Sequence, residues 1–557
     1  MRTNYSKFLI SLVSIIALSQ TAFAKRYIVV YKSQQGLKAM NSYMQLENNS
    51  GVEFERSLNN VNSMVIKADQ ADAAMSLMKH PEVATVEEEV FRPLPKPMSG
   101  FKLSTNDLER KKKRRYRPDN DAPSAGDNVP SFVEGAATPW GIKAVNAPQA
   151  WASAKAGAQA RVLVLDTGID PEHPALAKNF EKGRNFFESD TGLDTEDFID
   201  KEGHGTHVAG TVAASYNEQT GFTGVAPLTK ILMGRVCGDL GCSNIAVAEG
   251  INWGIDSKVD VITMSLGGPF STSAEKNAIA NAEKAGVSVI AASGNDGTAK
   301  VSFPAAYATV IAVGAVDSSI KKTAFSQWGP QLDIVAPGAA VISSVPQGSG
   351  RESIVEIVIN GNKSSVKSAA FSGTSLFTTA QVGELVPAGL GKPEDFAGLN
   401  LEGKFALISR GEIAFVEKVK NALKAKATGV VIYNNTDGLM QGVASDGAEV
   451  TVPVIMIEKT VGLGLVDQIS KGAKVGAEVL TTASNYASFD GTSMATPHVA
   501  GVVALMKSAN KKLTPEQVRM ILAKTAVAVL PNDQNQTGAG MIQADKAVQM
   551  AISAIQE

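Results

Sequence analysis

Three short stretches of this sequence carry side chains able to break an acyl bond. Ser493 lies in Phe489-Asp490-Gly491-Thr492-Ser493-Met494-Ala495-Thr496-Pro497-His498, between a small-residue turn and a run that stays apolar to Met506. That run reads as a buried helix. Pro497 is expected in its first turn, where a missing N–H costs little. Ser493 then stands at or just before a helix N-terminus, where free N–H groups favour a developing negative charge. A serine hydroxyl is a weak nucleophile and needs a base; without one, Ser493 would be only an N-cap. Gly203-His204-Gly205-Thr206-His207 supplies a histidine, the usual base near neutral pH. Val162-Leu163-Val164-Leu165-Asp166-Thr167-Gly168 supplies an acid that could orient it.

The order Asp, His, Ser is that of subtilisin. Together with Ala291-Ala292-Ser293-Gly294-Asn295-Asp296-Gly297, these segments resemble the four signatures of the subtilisin family of serine endopeptidases. The resemblance implies a triad of Asp166, His204 and Ser493, with His207 structural. It implies an oxyanion hole made by the Asn295 amide and the Ser493 N–H. It also implies a substrate-binding edge in Ser265, Leu266 and Gly267, facing a wall of Ala292, Ser293 and Gly294. An extended peptide would join this edge by strand addition. Ser302 would lie at the base of the primary pocket; it is small and neutral, so broad cleavage after apolar or medium-sized residues is expected. The plain alternative for these binding segments is ordinary strand termini. A second Gly-Thr-Ser, ending at Ser375, lacks the Met-Ala-Thr-Pro-His sequel and reads as non-catalytic.

Other chemistries fit less well. Asp-Thr-Gly occurs at Asp166 and Asp190, as in aspartic proteases, but a carboxylate dyad needs two equivalent supports. The first follows a buried run and the second sits in a polar one. In α/β-hydrolases the acid and histidine follow the serine; here both precede it. A non-catalytic, protease-like binding protein would not need all four catalytic positions filled.

The elements that must hold these residues follow from the rest of the chain. It has 557 residues, 44% apolar and 19% charged, with a net charge of −2. That fits several globular domains and gives no case for nucleic-acid binding. Residues 1–24 carry Arg2 and Lys7, an apolar run from Phe8 to Leu18, and small residues up to Ala24. This is the pattern of a secretory signal cleaved after Ala24. A secreted, extracellular protein is expected, with no membrane anchor left, since the apolar run is short for a span. In an exported protein the two cysteines, Cys237 and Cys242, read first as a short disulfide loop. A metal site is the alternative, and nothing nearby completes its ligand set. Spacing alone does not fix the bond.

Residues 25–95 alternate as strands with one helix and predict an α+β module. By the same resemblance this is an inhibitory propeptide, ferredoxin-like in fold. Residues 96–134 read as a solvated linker with a basic run, Arg110 to Arg115, open to proteolysis. From Arg161, apolar strands alternate with helical patterns, predicting an α/β fold: a parallel sheet with helices on both faces. The subtilisin-like catalytic domain is expected over 135–345 and 486–557. Its serine motif is delayed by roughly 140 residues, a domain's length. That insert, 346–485, resembles a protease-associated (PA) domain.

The acidic residues Asp190, Asp194, Glu196, Asp197, Asp200 and Glu202 raise structural calcium, as the family implies. A solvated acidic loop fits their spacing better. No cofactor or metal is expected for the chemistry itself. The expected partners are protein and peptide substrates and the chain's own propeptide, on a monomer made as a self-processing zymogen. The Pro-rich stretch Phe91 to Pro97 is extended and could lie in the cleft like a substrate.

Overall fold

The computed structural model describes residues 25–38, 51–94, 128–188, 192–445 and 448–554. The signal segment, the basic run, most of the linker and Asp190 lie outside the described residues. The chain divides into two compact units, Met1–Glu89 and Val90–Glu557.

In the first unit four strands, β1 (Lys25–Tyr31), β2 (Val52–Leu58), β3 (Ser63–Ala68) and β4 (Val83–Glu88), form an antiparallel sheet of order β2-β3-β1-β4. Alternation along the strands sends Tyr27, Val29, Tyr31, Met64 and Ile66 into one core, closed by Ala74 of the helix Ala71–Ser76.

The second unit opens with a short strand, β5 (Phe91–Arg92). Its main sheet uses β6 (Arg161–Asp166), β7 (Phe180–Asn185) and β8 (Lys230–Arg235). A hairpin follows, β9 (Cys237–Gly238) and β10 (Gly241–Ser243). The main sheet continues with β11 (Val261–Met264), β12 (Ser288–Ala292), β13 (Ile311–Val316) and β14 (Ile334–Pro337). Its seven strands run parallel in the order β14-β13-β12-β11-β6-β8-β7.

Strand β6 shows why helices cover both faces. Val162 and Val164 join the core shared with the long helix Thr492–Ala509. Leu163 and Leu165 point the other way, against Gly254 and Gly250 of the helix Asn244–Asp256. A strand buried on both sides must be apolar at successive positions, and this one is.

After β14 the chain makes β15 (Val341–Ser344) and then leaves the catalytic layers. Seven further strands follow: β16 (Gly350–Ile359), β17 (Asn362–Val366), β18 (Ser368–Ala370), β19 (Gln381–Pro387), β20 (Phe405–Ser409), β21 (Gly429–Tyr433) and β22 (Val454–Ile457). With β23 (Val475–Ser484) they build an eight-stranded sheet with its own two apolar cores. The chain returns on β24 (Tyr486–Phe489), which pairs antiparallel with β15 and leads into the Ser493 helix.

Candidate active site

Asp166 ends β6, at the carboxyl edge where open parallel sheets place their sites. It is fully buried, and its Oδ1 lies 2.7 Å from His204 Nδ1 and accepts the Thr167 N–H at 2.7 Å. His204 begins the helix His204–Ala213, which packs against the Ser493 helix. Close approach makes this possible: a Cβ on Gly205 would stand 2.1 Å from the Gly168 carbonyl oxygen. With Nδ1 held by Asp166, Nε2 is the free end of the ring. It is buried and has no partner among the described residues.

The turn between Asp166 and His204 is held by Asp200. Its Oδ1 accepts the Thr167 hydroxyl at 2.9 Å and the Glu202 and Gly203 N–H groups at 3.0 and 2.8 Å. Its Oδ2 accepts the Thr206 N–H at 2.9 Å and the Thr206 hydroxyl at 2.6 Å. The sequence placed Asp200 in an acidic surface loop. It is fully buried, and it satisfies free donors at the start of the His204 helix. Asp197 is paired with Lys201 and Arg235. No cluster of three or more His, Cys, Asp or Glu side chains suited to a metal ion occurs among the described residues.

His207 is fully buried, stacked on Phe489 at 4.2 Å, with Nε2 at 3.0 Å from the Val341 carbonyl oxygen. Burial first, then the nearby His204, lowers its pKa to about 3. A ring held neutral and locked in this way is a structural part.

The Ser493 helix starts at Thr492, so Ser493 is its second residue. Pro497 is therefore sixth, one turn deeper than the sequence predicted. A proline there leaves the carbonyl four residues back without its helical donor. That carbonyl belongs to Ser493, and the Ser265 hydroxyl donates to it at 2.7 Å. The Ser493 hydroxyl in turn donates to the Ser265 carbonyl at 3.1 Å. Ser265 thus fixes the backbone of Ser493, a role the sequence did not reveal.

Asn295 follows β12. Its carboxamide oxygen accepts both the N–H and the hydroxyl of Thr492, each at 2.9 Å. The oxygen is committed, so the NH2 is what Asn295 can offer to the cleft. A cavity of about 360 Å³ adjoins it, lined by Leu266, Gly267, Ala292, Gly294, Ser302, Gln327 and Ser493 among others. Gly294 has φ +111°, and a Cβ there would stand 1.9 Å from Gln327 Oε1, so only glycine fits. Ser265 and Ser293 do not line the cavity: the Ser293 hydroxyl donates to the Gln327 carbonyl at 3.0 Å.

The cavity has two further lining residues from far upstream, Pro93 and Leu94. They continue β5, which pairs antiparallel with β10, Arg92 opposite Cys242. Cys237 and Cys242 form a disulfide across the β9–β10 hairpin. Ser375 lies in the insert, which contains no histidine.

The sequence profile of the subtilase family matches residues 157–384 and 467–543, more than half of the chain. The chain belongs to the subtilase family. It is a subtilisin-like serine endopeptidase. Within this subtilase, residues 381–465 match the PA domain. Among its relatives, Subtilisin E of Bacillus subtilis (strain 168) is 33% identical over 340 residues, 60% of this chain and 76% of that protein. The Major intracellular serine protease of the same strain is 44% identical over 216 residues, 37% of this chain and 67% of its own length. The crystal structure of a psychrophilic subtilisin-like protease from the Antarctic psychrotroph Pseudoalteromonas sp. AS-11 aligns with a TM-score of 0.57 at 31% identity. The match covers 75% of this subtilase and 99% of that chain. Among the described residues no helix is long and apolar enough to cross a membrane.

Proposed function

We propose that the protein is a secreted endopeptidase of broad primary specificity, made as a zymogen that cuts itself, with Ser493 as nucleophile. The observation that carries the residue roles is the Asp166–His204 pair. It leaves one imidazole nitrogen unpartnered on a helix packed against the one bearing Ser493. In the reaction the Ser493 hydroxyl turns from the Ser265 carbonyl to His204 Nε2. The ring takes the proton as Oγ attacks the substrate carbonyl. Asp166 stabilises the imidazolium. The oxyanion accepts from the Asn295 NH2 and from the Ser493 N–H, which lies in the first helical turn and has no intrahelical acceptor. His204 then protonates the leaving amine, and water enters by the same route to release the acyl group.

Broad primary specificity is supported by the small, neutral Ser302 at the cavity wall, where the two charged lining residues, Asp296 and Lys300, are of opposite sign. Secretion is supported by the charged, apolar and small-residue order of residues 1–24. Self-processing is supported by the segment Val90 to Leu94, which joins β10 as an added strand and brings Pro93 and Leu94 to the cavity that holds Ser493.

Labelling with a fluorophosphonate probe, together with cleavage mapping on an unfolded protein, tests this reading. Ser493→Ala is expected to lose both labelling and turnover, to keep its fold, and to keep residues 25–95 attached in a host without other proteases. Loss of activity in Ser375→Ala but not in Ser493→Ala would overturn the assignment. A normal mature N-terminus in Ser493→Ala would overturn self-processing.

A further inference from the structure

A buried carboxylate lies near the cavity, apart from the triad and from Asp296, which lines the cavity itself. Glu275 is in the first turn of the helix Ser273–Lys284 and is fully buried. Its Oε1 accepts from Arg92 Nη1 and its Oε2 from Arg92 Nη2, a two-pronged pairing. The Thr272 hydroxyl donates to Oε2 at 2.9 Å, and Arg92 Nη2 also donates to the Phe270 carbonyl at 3.3 Å. The aliphatic stem of Arg92 lies on Gly268, where a Cβ would stand 3.0 Å from Arg92 Cγ. The site is thus a narrow pocket with a carboxylate floor, a hydroxyl that steadies it, and a wall flat enough for a long side chain.

A buried carboxylate without a counter-charge is strongly unfavourable. The counter-charge here does not come from the pocket wall. It comes from the extended segment that pairs with β10 and runs on to the cavity holding Ser493. Once the chain is cut beyond Leu94, that segment is free to leave, and Glu275 stays behind. The side chain best suited to replace Arg92 is another arginine, whose planar fork matches both carboxylate oxygens. Lysine offers a single point charge, and an apolar side chain leaves the carboxylate unpaired.

We infer that Glu275 selects substrates carrying an arginine two or three residues before the residue whose carbonyl is attacked. The inference rests on the endopeptidase reading and narrows it: a tolerant primary pocket is joined to a selective second one. The spacing comes from the chain itself, since Arg92 lies two residues before Leu94, which lines the cavity.

The test uses the full chain, expressed and allowed to mature, and internally quenched peptides that differ at one position. Arginine, citrulline, lysine, leucine or glutamate is stepped through the four positions before the cleaved residue. Arginine at the inferred spacing is expected to raise kcat/KM about 10²-fold over citrulline, which has a similar shape without the charge. Glu275→Gln should shrink that ratio to within about threefold. If Glu275→Gln fails to accumulate, the paired variant Arg92→Gln/Glu275→Gln supplies the enzyme for the same comparison. Equal hydrolysis of the arginine, citrulline and leucine peptides by the wild-type enzyme would overturn the inference without any variant. So would an arginine preference that survives in Glu275→Gln or in Arg92→Gln/Glu275→Gln. Failure to cut any peptide, with no labelling of Ser493, would instead overturn the endopeptidase reading.

Discussion

For the proposed role of Asn295 as oxyanion donor, what matters is that its oxygen is occupied and its NH2 is left for the cleft. Thr492 supplies both hydrogen bonds to that oxygen, so the amide cannot flip without losing them. Asn295→Ala is expected to lower kcat by about 10²–10³, the range known for loss of this donor in a subtilisin, with KM little changed. Thr492→Val removes one of the two restraints. It should cost about tenfold in kcat, the scale of one hydrogen bond, and Thr492→Ser should restore it. Steady-state kinetics on one peptide checks both. The buried histidines set a different limit. Burial lowers the pKa of His498 to about 4, and burial together with His204 lowers that of His207 to about 3. Both values lie below the ordinary 6.5, so between these limits the unfolded chain binds more protons than the folded one. The stability they contribute is complete above about pH 6.5 and drains away as pH falls towards 4 and then 3, by several kcal/mol in order of magnitude. Thermal unfolding followed from pH 7.5 down to pH 4 should show Tm falling steadily. A flat profile would show that these rings do not govern acid lability.

The β9–β10 hairpin is the element that β5 joins as an added strand, Arg92 opposite Cys242, and under the proposed function a substrate would take the place of β5. Its disulfide ties Cys237 to Cys242 across the ladder, so the hairpin is closed by a covalent bond as well as by its backbone pairing. Replacing both cysteines by serine should raise KM for peptides that reach upstream of the cleaved bond more than it lowers kcat. An equal fall in kcat for short and long peptides would mean that the hairpin supports the triad instead. What could be read from sequence follows the same division between local and distant. The sequence singled out Asp166, His204, Asn295 and Ser493 because each sits beside glycines and small residues that shape its own turn. The strands were legible because burial on both faces demands unbroken apolar runs, as in Val162 to Leu165. Asp200 was not, because its burial depends on the β6 turn meeting the start of the His204 helix. The hold of Ser265 on the Ser493 carbonyl was not, because its hydroxyl answers a group that Pro497 has freed, 228 residues away. The Arg92–Glu275 pair joins positions 183 residues apart, and neither residue lies in a recognisable motif.

At the scale of the whole molecule, the insert is fastened to the strand β24, which leads into the helix carrying Ser493. The Gln441 side-chain oxygen accepts the Ser488 N–H at 2.9 Å, while its NH2 donates to the Arg351 carbonyl at 2.8 Å. Burial raises the pKa of Asp490, three residues before Ser493, and the Ala340 N–H and then the charge of Arg410, which belongs to the insert, oppose that rise. Removing residues 346–485 is expected to change the cleavage of large, folded proteins more than that of short peptides. Equal changes in both assays would make the insert a stability element only. The chain enters and leaves this module through β15 and β24, where Ser344 stands opposite Tyr486. Partners in an antiparallel ladder are only about 5 Å apart. Seen from the seven-stranded sheet, an entire domain therefore occupies the place of a hairpin turn. Such a junction works as a port: a guest whose two ends lie this close together can be exchanged for another, or for a two-residue turn, without altering the order of the main strands. The long gap before Ser493 is large along the chain and almost nothing in space, so lineages could gain, lose or trade the module while the hydrolytic machinery stayed in place.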